Sequence, residues 1–253
     1  MNEEDSRVSS FNLYPIFGED TEINKEHIMK GKMEEAKLIY YEKEFRHLMR
    51  SMQGFTDEDF NDSVIVGLSA IKAASGTDVY EIFERCIEKI KESWEKEKFP
   101  VHADWHHYIV PGAVLVALRN AGHPISDKDI EEGIRRGVNF PGGSCGFAGL
   151  CGGAYSAGII LSIIKKTNPI STKERREIML SVIDTLNEIS KYPARCCKRS
   201  SYIALQKITE YLKSVGYTNI ICSEIKCKWS KYNTMCMRKS CPYFDKESQI
   251  EDN

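Results

Sequence analysis

Eight of the nine cysteines lie in the second half of this 253-residue chain, and they are grouped. Cys145 and Cys151 sit in a glycine-rich stretch, Cys196 and Cys197 are adjacent, and Cys222, Cys227, Cys236 and Cys241 follow. Such grouping means a disulfide scaffold outside the cell and a metal or redox site inside it. The chain opens Met1-Asn2-Glu3-Glu4-Asp5, with neither the basic stretch nor the apolar core of a signal peptide. A cytoplasmic protein with reduced thiols is therefore expected. The longest apolar run, Ile159 to Ile164, is broken by Ser162 and falls far short of the roughly 20 residues that cross a bilayer, so no membrane partner is expected.

A chain of this length buries a substantial core without disulfides. Its net charge of −2 carries no global signature of a polyanionic partner. Helical periodicity runs through most of it. Leu38, Ile39, Phe45, Leu48 and Met49 recur at helical spacing from Lys32 to Met49, and Thr56 with Asp59 predicts a capping box opening the next helix. Gly76 is expected to end that helix and Thr77 to cap a third, whose stripe of Val79, Ile82, Phe83, Cys86, Ile87 and Ile90 makes Cys86 plain core. Further helices are predicted from Pro111 to Ala121, from Ser126 to Gly137, and over about 154–166, 172–191 and 200–214. No segment alternates like a strand. The expected fold is all-α, with a flexible segment at 1–30, a helical domain at 31–216, and a cysteine-rich metal-binding appendage with a mobile tail at 217–253.

The appendage carries the strongest spacing, C-x4-C-x8-C-x4-C from Cys222 through Cys227 and Cys236 to Cys241. Four thiolates from a short segment can enclose zinc or ligate an iron-sulfur cluster such as 4Fe-4S, and so organise chain too short to bury its own core. Pro242, directly after the last cysteine, favours the cluster. Lys226, Lys228, Lys231, Arg238 and Lys239 can offset the thiolate charge; the alternative use of this basic end, with Trp229 and Tyr232 as stacking groups, is nucleic-acid binding, and a solvated basic face is the plainer reading.

Three other motifs carry chemistry. In His102-Ala-Asp-Trp-His106-His107, a helix would put His102 and His106 one turn apart as ligands to one metal ion, with His107 about 100° away. Residues 141–153 concentrate six glycines around Cys145 and Cys151. There Gly142, Gly143 and Gly146 permit close approach of a ligand, and the following helix directs free N–H groups at the loop. A tight helix crossing is the plainer reading of the same glycines. Finally, Arg195-Cys196-Cys197-Lys198-Arg199 surrounds adjacent thiols with cations, which favours thiolate for metal ligation, sulfur transfer or redox reaction.

The ordered set His102-x-x-x-His106-His107, Arg119-Asn120-Ala121-Gly122, Pro141-Gly142-Gly143-x-Cys145-Gly146, Cys151-Gly152, Gly158-Ile159, Arg195 to Arg199, Asn233-x-x-Cys236 and Cys241-Pro242 resembles an uncharacterised prokaryotic family catalogued as domain of unknown function 5714. The resemblance covers about 98–244. It implies that the His and Cys motifs form a site and, since that family occurs in anaerobes and is sometimes joined to methyltransferase domains, a methyltransferase as partner. The chain departs from the pattern at Trp105, where an acidic residue is usual, and at Pro193-Ala194, where Gly-Pro precedes the arginine. Neither an S-adenosylmethionine glycine signature nor a C-x3-C-x2-C radical motif is present.

These features predict a cytoplasmic metal or iron-sulfur protein with thiol-based redox or sulfur-transfer chemistry. Cys145, Cys151, Cys196 and Cys197 are the reactive thiols, Lys198 or Arg199 holds thiolate charge, and a second metal sits at the His/Cys site. A small sulfur-bearing or anionic molecule is the expected substrate, and a methyltransferase or redox protein the expected partner. A non-catalytic metal- or thiol-sensing module is the alternative.

Overall fold

The structure is a computed structural model that describes residues 46–245. A helical stretch at 46–52 leads into α1 (Asp57–Ala73), α2 (Val79–Glu92), α3 (His106–Asn120), α4 (Asp127–Val138), the single turn α5 (Ser144–Phe147), α6 (Gly152–Ile164), α7 (Thr172–Ser190) and α8 (Cys197–Ser214). Two 3-10 turns follow, Ser230–Tyr232 and Arg238–Ser240. Among the described residues there is no strand, only the isolated bridges Asp78–Ile221 and Cys227–Phe244, so the fold is all-α. None of the described helices is long and apolar enough to cross a membrane. The predicted segment 1–30, most of the helix expected from Lys32 and the tail after Asp245 lie outside the described residues.

The centre is α3, buried from His106 through Leu118. Its sequence is apolar all round, which suits a helix enclosed on every side; α1, α2, α4, α6 and α8 surround it. Helix formation was expected only after Pro111, yet α3 begins at His106 and carries Pro111 inside. Proline lacks the N–H that would bond to the His107 carbonyl one turn back. That oxygen is met from α6 instead: the Ser156 hydroxyl lies 3.2 Å from it and 2.7 Å from the Gly152 oxygen. Gly137 closes the other side, where a Cβ would stand 2.2 Å from the His107 oxygen.

Capping boxes form at Thr56–Asp59 and Ser126–Asp129 as their spacing predicts. At α2 the cap is Asp78, not Thr77. The Asp78 carboxylate accepts the Tyr80 N–H at 3.0 Å and the Ser223 N–H at 3.3 Å, so it fastens the C-terminal segment as well as the helix. That segment shares the core: Ile220, Ile225 and Trp229 are buried within it. The buried Glu84 carboxylate accepts from the Tyr202 hydroxyl at 2.8 Å and from Trp229 Nε1 at 2.7 Å, joining α2, α8 and the segment in one network. Cys86 is core, its thiol pushed up to about 12 by burial.

Gly137→Ala forces a methyl into the His107 carbonyl and is expected to cost about 1–3 kcal/mol, as overpacking does. Gly146→Ala, where a Cβ meets open space, is expected to stay within about 0.5 kcal/mol. Urea midpoints at unchanged slope compare the two, and equal midpoints would refute the α3–α4 contact as described.

Candidate functional site

A cavity of about 390 Å³ lies where the start of α3, the glycine loop and the start of α8 meet. Asp104, His106 and His107 line it from α3 and its lead-in, Gly142, Gly143, Cys145, Gly146 and Cys151 from the loop, and Arg195, Cys196, Cys197 and Arg199 from the α8 side. The structure thus brings together most of the residues singled out by sequence.

His106 and His107 are both buried, and each places Nδ1 against a backbone carbonyl, Ala103 at 2.7 Å and Phe140 at 3.1 Å. Donation from Nδ1–H leaves Nε2 as the lone-pair nitrogen, the tautomer a metal-ligating or proton-accepting histidine needs. His106 Nε2 is buried with no hydrogen-bond partner. Burial holds both imidazoles below their usual range; the Lys198 charge lowers His106 further, while Asp104 opposes the shift at His107. His102 is different. It lies before α3, outside the helix, so the expected one-turn pairing with His106 does not form. Its Nε2 faces Asn233 Oδ1 at 2.9 Å and its Nδ1 accepts the Cys197 N–H at 3.5 Å, which engages both nitrogens in tying α8 to the C-terminal segment. Burial lowers this imidazole too.

The glycines divide between the two readings. Gly152 and Gly153 make a tight crossing: a Cβ would lie 2.3 Å from His107 Nε2 at the first and 2.6 Å from the Ser200 carbonyl at the second. Gly143 has φ +83° and starts α5, a conformation that glycine adopts without strain. Gly142 and Gly146 are wall. The Cys151 side chain makes no cap hydrogen bond to α6, so the first turn of that helix opens on the cavity with its positive end. Trp105 is fully buried among aromatic rings, which leaves Asp104 as the cavity's carboxylate. Asp104 is anchored by Arg50, Nη2 to Oδ2 at 3.0 Å, while its Oδ1 is buried without a partner. Nothing in the sequence spacing pointed to Arg50, 54 residues away.

Cys196 and Cys197 are the N-cap and first residue of α8. Cys196 Sγ accepts the Arg199 N–H at 3.4 Å and the Asn233 amide at 3.6 Å. The neighbouring cations were expected to acidify the pair, but burial outweighs them. It raises Cys196 against the pull of the Arg199 N–H and charge, and pushes Cys197 up to about 12 against Arg195. Arg199 is held by the Ala194 carbonyl, by Met237 Sδ at 3.2 Å and over the Tyr192 ring. Lys198 turns inward, 1% exposed, with Nζ 4.2 Å from the Trp229 ring centroid, 5.2 Å from that of Phe83 and no hydrogen-bond partner. Burial pulls this ammonium down to about 8, against the nearby Glu84 carboxylate.

A second, smaller cavity lies on the other side of Cys196, lined by Cys196, Lys198, Cys227, Trp229, Asn233, Cys236 and Cys241 among others. Cys222 is not in its wall; that thiol is pushed up to about 12 by burial and by the Asp78 carboxylate. Burial also raises Cys227, to about 11, while the Trp229 backbone N–H pulls it down. The Arg238 N–H reaches Cys236 Sγ at 3.4 Å from a left-handed backbone, φ +48°. Among the described residues, no three His, Cys, Asp or Glu side chains close on a single-ion position. Trp229 is buried and hydrogen-bonded to Glu84, so it is not a stacking platform for nucleic acid, and Lys228 pairs with Glu88.

An all-helical protein with thiols at two adjoining cavities is the class defined by these observations. The chain belongs to a family of unknown function, DUF5714, which matches residues 69–244. The match begins in α1 and ends one residue past the second bridge partner's neighbour Tyr243, so it contains both cavities except for the Gln53 wall. No curated protein and no solved structure matches the chain.

The three lowered imidazoles set a pH dependence. Each is kept neutral in the fold, whereas the unfolded chain takes up a proton near pH 6.5. The stabilisation is therefore complete above that value and is lost as pH falls through it toward the folded values. Urea unfolding of chelator-treated protein at about pH 7.5 and about pH 5.5 is expected to show the loss, with a smaller loss in His102→Gln; an equal midpoint at both pH values would contradict the burial.

Proposed function

We propose that the protein is a metal- or iron-sulfur-dependent protein that performs thiol-based redox or sulfur-transfer chemistry on a small sulfur-bearing or anionic molecule in the larger cavity. The observation that carries this reading is the start of α8, where adjacent thiols open on two cavities: Cys196 on both, Cys197 on the larger alone. One cavity has the donor set of a cofactor. The other has the size of a small-ligand pocket.

The larger cavity supplies the parts such chemistry needs. Arg195 and the first turns of α6 and α8 favour an anion. Leu186, Ile189 and Pro193 give an apolar wall that limits water. Cys145 is the exposed thiol and the one a substrate meets first; Cys151 and Cys197 stand behind it, close enough for their charges to interact. With a small disulfide the reaction balances within the cavity. The Cys145 thiolate attacks one substrate sulfur, the S–S bond breaks, and the first thiol leaves with the electron pair and a proton. A second cavity thiol, Cys151 or Cys197, then attacks Cys145 Sγ; the bond from Cys145 to the substrate sulfur breaks, a protein disulfide closes, and the second thiol leaves with the electron pair and a proton. An iron-sulfur cluster, when bound, supplies single electrons; zinc supplies charge alone. His106 and His107, with lone-pair Nε2 atoms, are the donors for a second metal at the His/Cys site. A reducing, cytoplasmic setting and a redox or methyltransferase partner belong to the same reading.

Anaerobic purification, followed by iron, zinc and acid-labile sulfide analysis and an absorption spectrum, tests the reading. Iron and sulfide are expected, with stoichiometric thiol release from a small carboxylated disulfide that Cys145→Ser abolishes while metal content persists. Zinc alone at one equivalent, unaffected by changes at Cys145, Cys151, Cys196 or Cys197, would overturn it.

A further inference from the structure

We infer that the cofactor is held by Cys196, Cys227, Cys236 and Cys241, with Lys198 as its buried counter-charge, and that Cys222 is not a ligand. The assignment rests on the reading that the protein binds a metal or cluster, and replaces one member of the four-cysteine spacing by a residue of α8.

Position is the first argument. Cys196, Cys227, Cys236 and Cys241 line one cavity, and Cys196 feels the charge of Cys236 and Cys241, as Cys227 feels that of Cys196. Cys222 stands by Asp78 and Glu210, carboxylates that oppose a thiolate, with Lys213 countering them in part. The segment before Cys227 is fixed there independently, because Ile221 bridges to the residues that start α2 and the Asp78 cap takes the Ser223 N–H. Recruiting Cys222 would require breaking that anchorage.

Hydrogen bonding is the second. Backbone N–H groups of Arg199, Trp229 and Arg238 point at the sulfurs of Cys196, Cys227 and Cys236, each two or three residues downstream of its cysteine, and the Asn233 amide adds another to Cys196. Donors aimed at sulfur stabilise thiolate and tune a bound centre. The Arg238 donor comes from a left-handed backbone that a non-glycine residue adopts at a cost. A turn that accepts this strain to wrap an N–H around a sulfur is accounted for if the sulfur carries charge.

Lys198 is the third. Its ammonium is buried in the wall of the thiol cavity, over the Phe83 and Trp229 rings and with no hydrogen-bond partner. A cation buried in this way needs negative charge nearby. Glu84 supplies part, but its two oxygens are committed to Tyr202 and Trp229. Four thiolates around a divalent ion or a cluster leave net negative charge, which completes the balance. The arrangement also places the centre one peptide bond from Cys197, and hence beside the larger cavity.

Cys196→Ser keeps a side-chain oxygen suited to the helix N-cap, so the fold is expected to survive while the ligand is lost. Metal and sulfide per chain are measured in the full-length protein, purified anaerobically, for the wild type, Cys196→Ser, Cys241→Ser and Cys222→Ser. The first two variants are expected to lose the centre, and Cys222→Ser to retain the wild-type content. Lys198→Met is expected to move the reduction potential of a cluster to more negative values, or to speed loss of zinc to a chelator; no change in either overturns the counter-charge role. A centre retained in Cys196→Ser and lost in Cys222→Ser overturns the ligand assignment alone. A wild-type chain without metal removes both this assignment and the reading beneath it.

Discussion

Full burial of α3, with a proline in its second turn, is the constraint that shapes the site. Pro111 frees the His107 carbonyl in a place no water reaches, and the α6 hydroxyl of Ser156 comes to meet it. That contact needs α6 close to α3, which dictates glycine at 152, as the approach of α4 from the other side dictates it at 137. The same approach lays the start of α6, with Cys151 as its N-cap, against the His107 ring. The histidines, the glycine loop and Cys151 are thus consequences of one packing problem: how to bury a broken helix turn with its polar groups paired.

A second buried polar group does for the C-terminal segment what Ser156 does for α6. Glu84, on the face of α2 that meets α8, takes both the Tyr202 hydroxyl and the Trp229 indole N–H. A carboxylate so far from water is tolerable only with donors on both oxygens. Trp229 carried by this bond fixes the chain on either side of it, including Cys227. The indole face is then left for Lys198. Removing Trp229 would therefore disturb a carboxylate, an ammonium and a thiol together, which is why a tryptophan that sequence composition offers to nucleic acid is instead structural.

Local rules were legible in the sequence, and their limits are physical. The capping boxes at Thr56 and Ser126, the α2 stripe and the core status of Cys86 follow from short-range periodicity and side-chain chemistry, which the fold leaves intact. In sequence Pro111 marks a helix start, whereas α3 begins at His106 because the carbonyl that Pro111 frees is met by Ser156, far downstream. The pairing of His102 with His106 requires a helix where the chain turns, and His102 finds Asn233 instead. Thiol acidity is not legible from a count of nearby cations, because desolvation dominates at Cys197. Family resemblance located the motifs without their geometry.

The regular spacing of Cys222, Cys227, Cys236 and Cys241 illustrates the difference between sequence proximity and convergence. A short cysteine-rich segment that folds around its own metal has no need of a core, yet this one contributes Ile220, Ile225 and Trp229 to the core of the helical domain. Burial of those side chains fixes the backbone that carries Cys222 and Cys227 against the helical domain. Cys222 is held near the start of α2, and Cys227 onward faces the start of α8, where Cys196 already has an N–H of its own helix and the Asn233 amide directed at its sulfur. The helix that ends the domain in sequence therefore begins, in space, at the point where the segment returns. An adjacent pair of cysteines at such a point is divided by the helix start itself: the N-cap side chain turns back across the first turn, and the next residue's side chain projects to the neighbouring face. Cys196 is thereby shared between the two cavities, and Cys197 lines the large one alone.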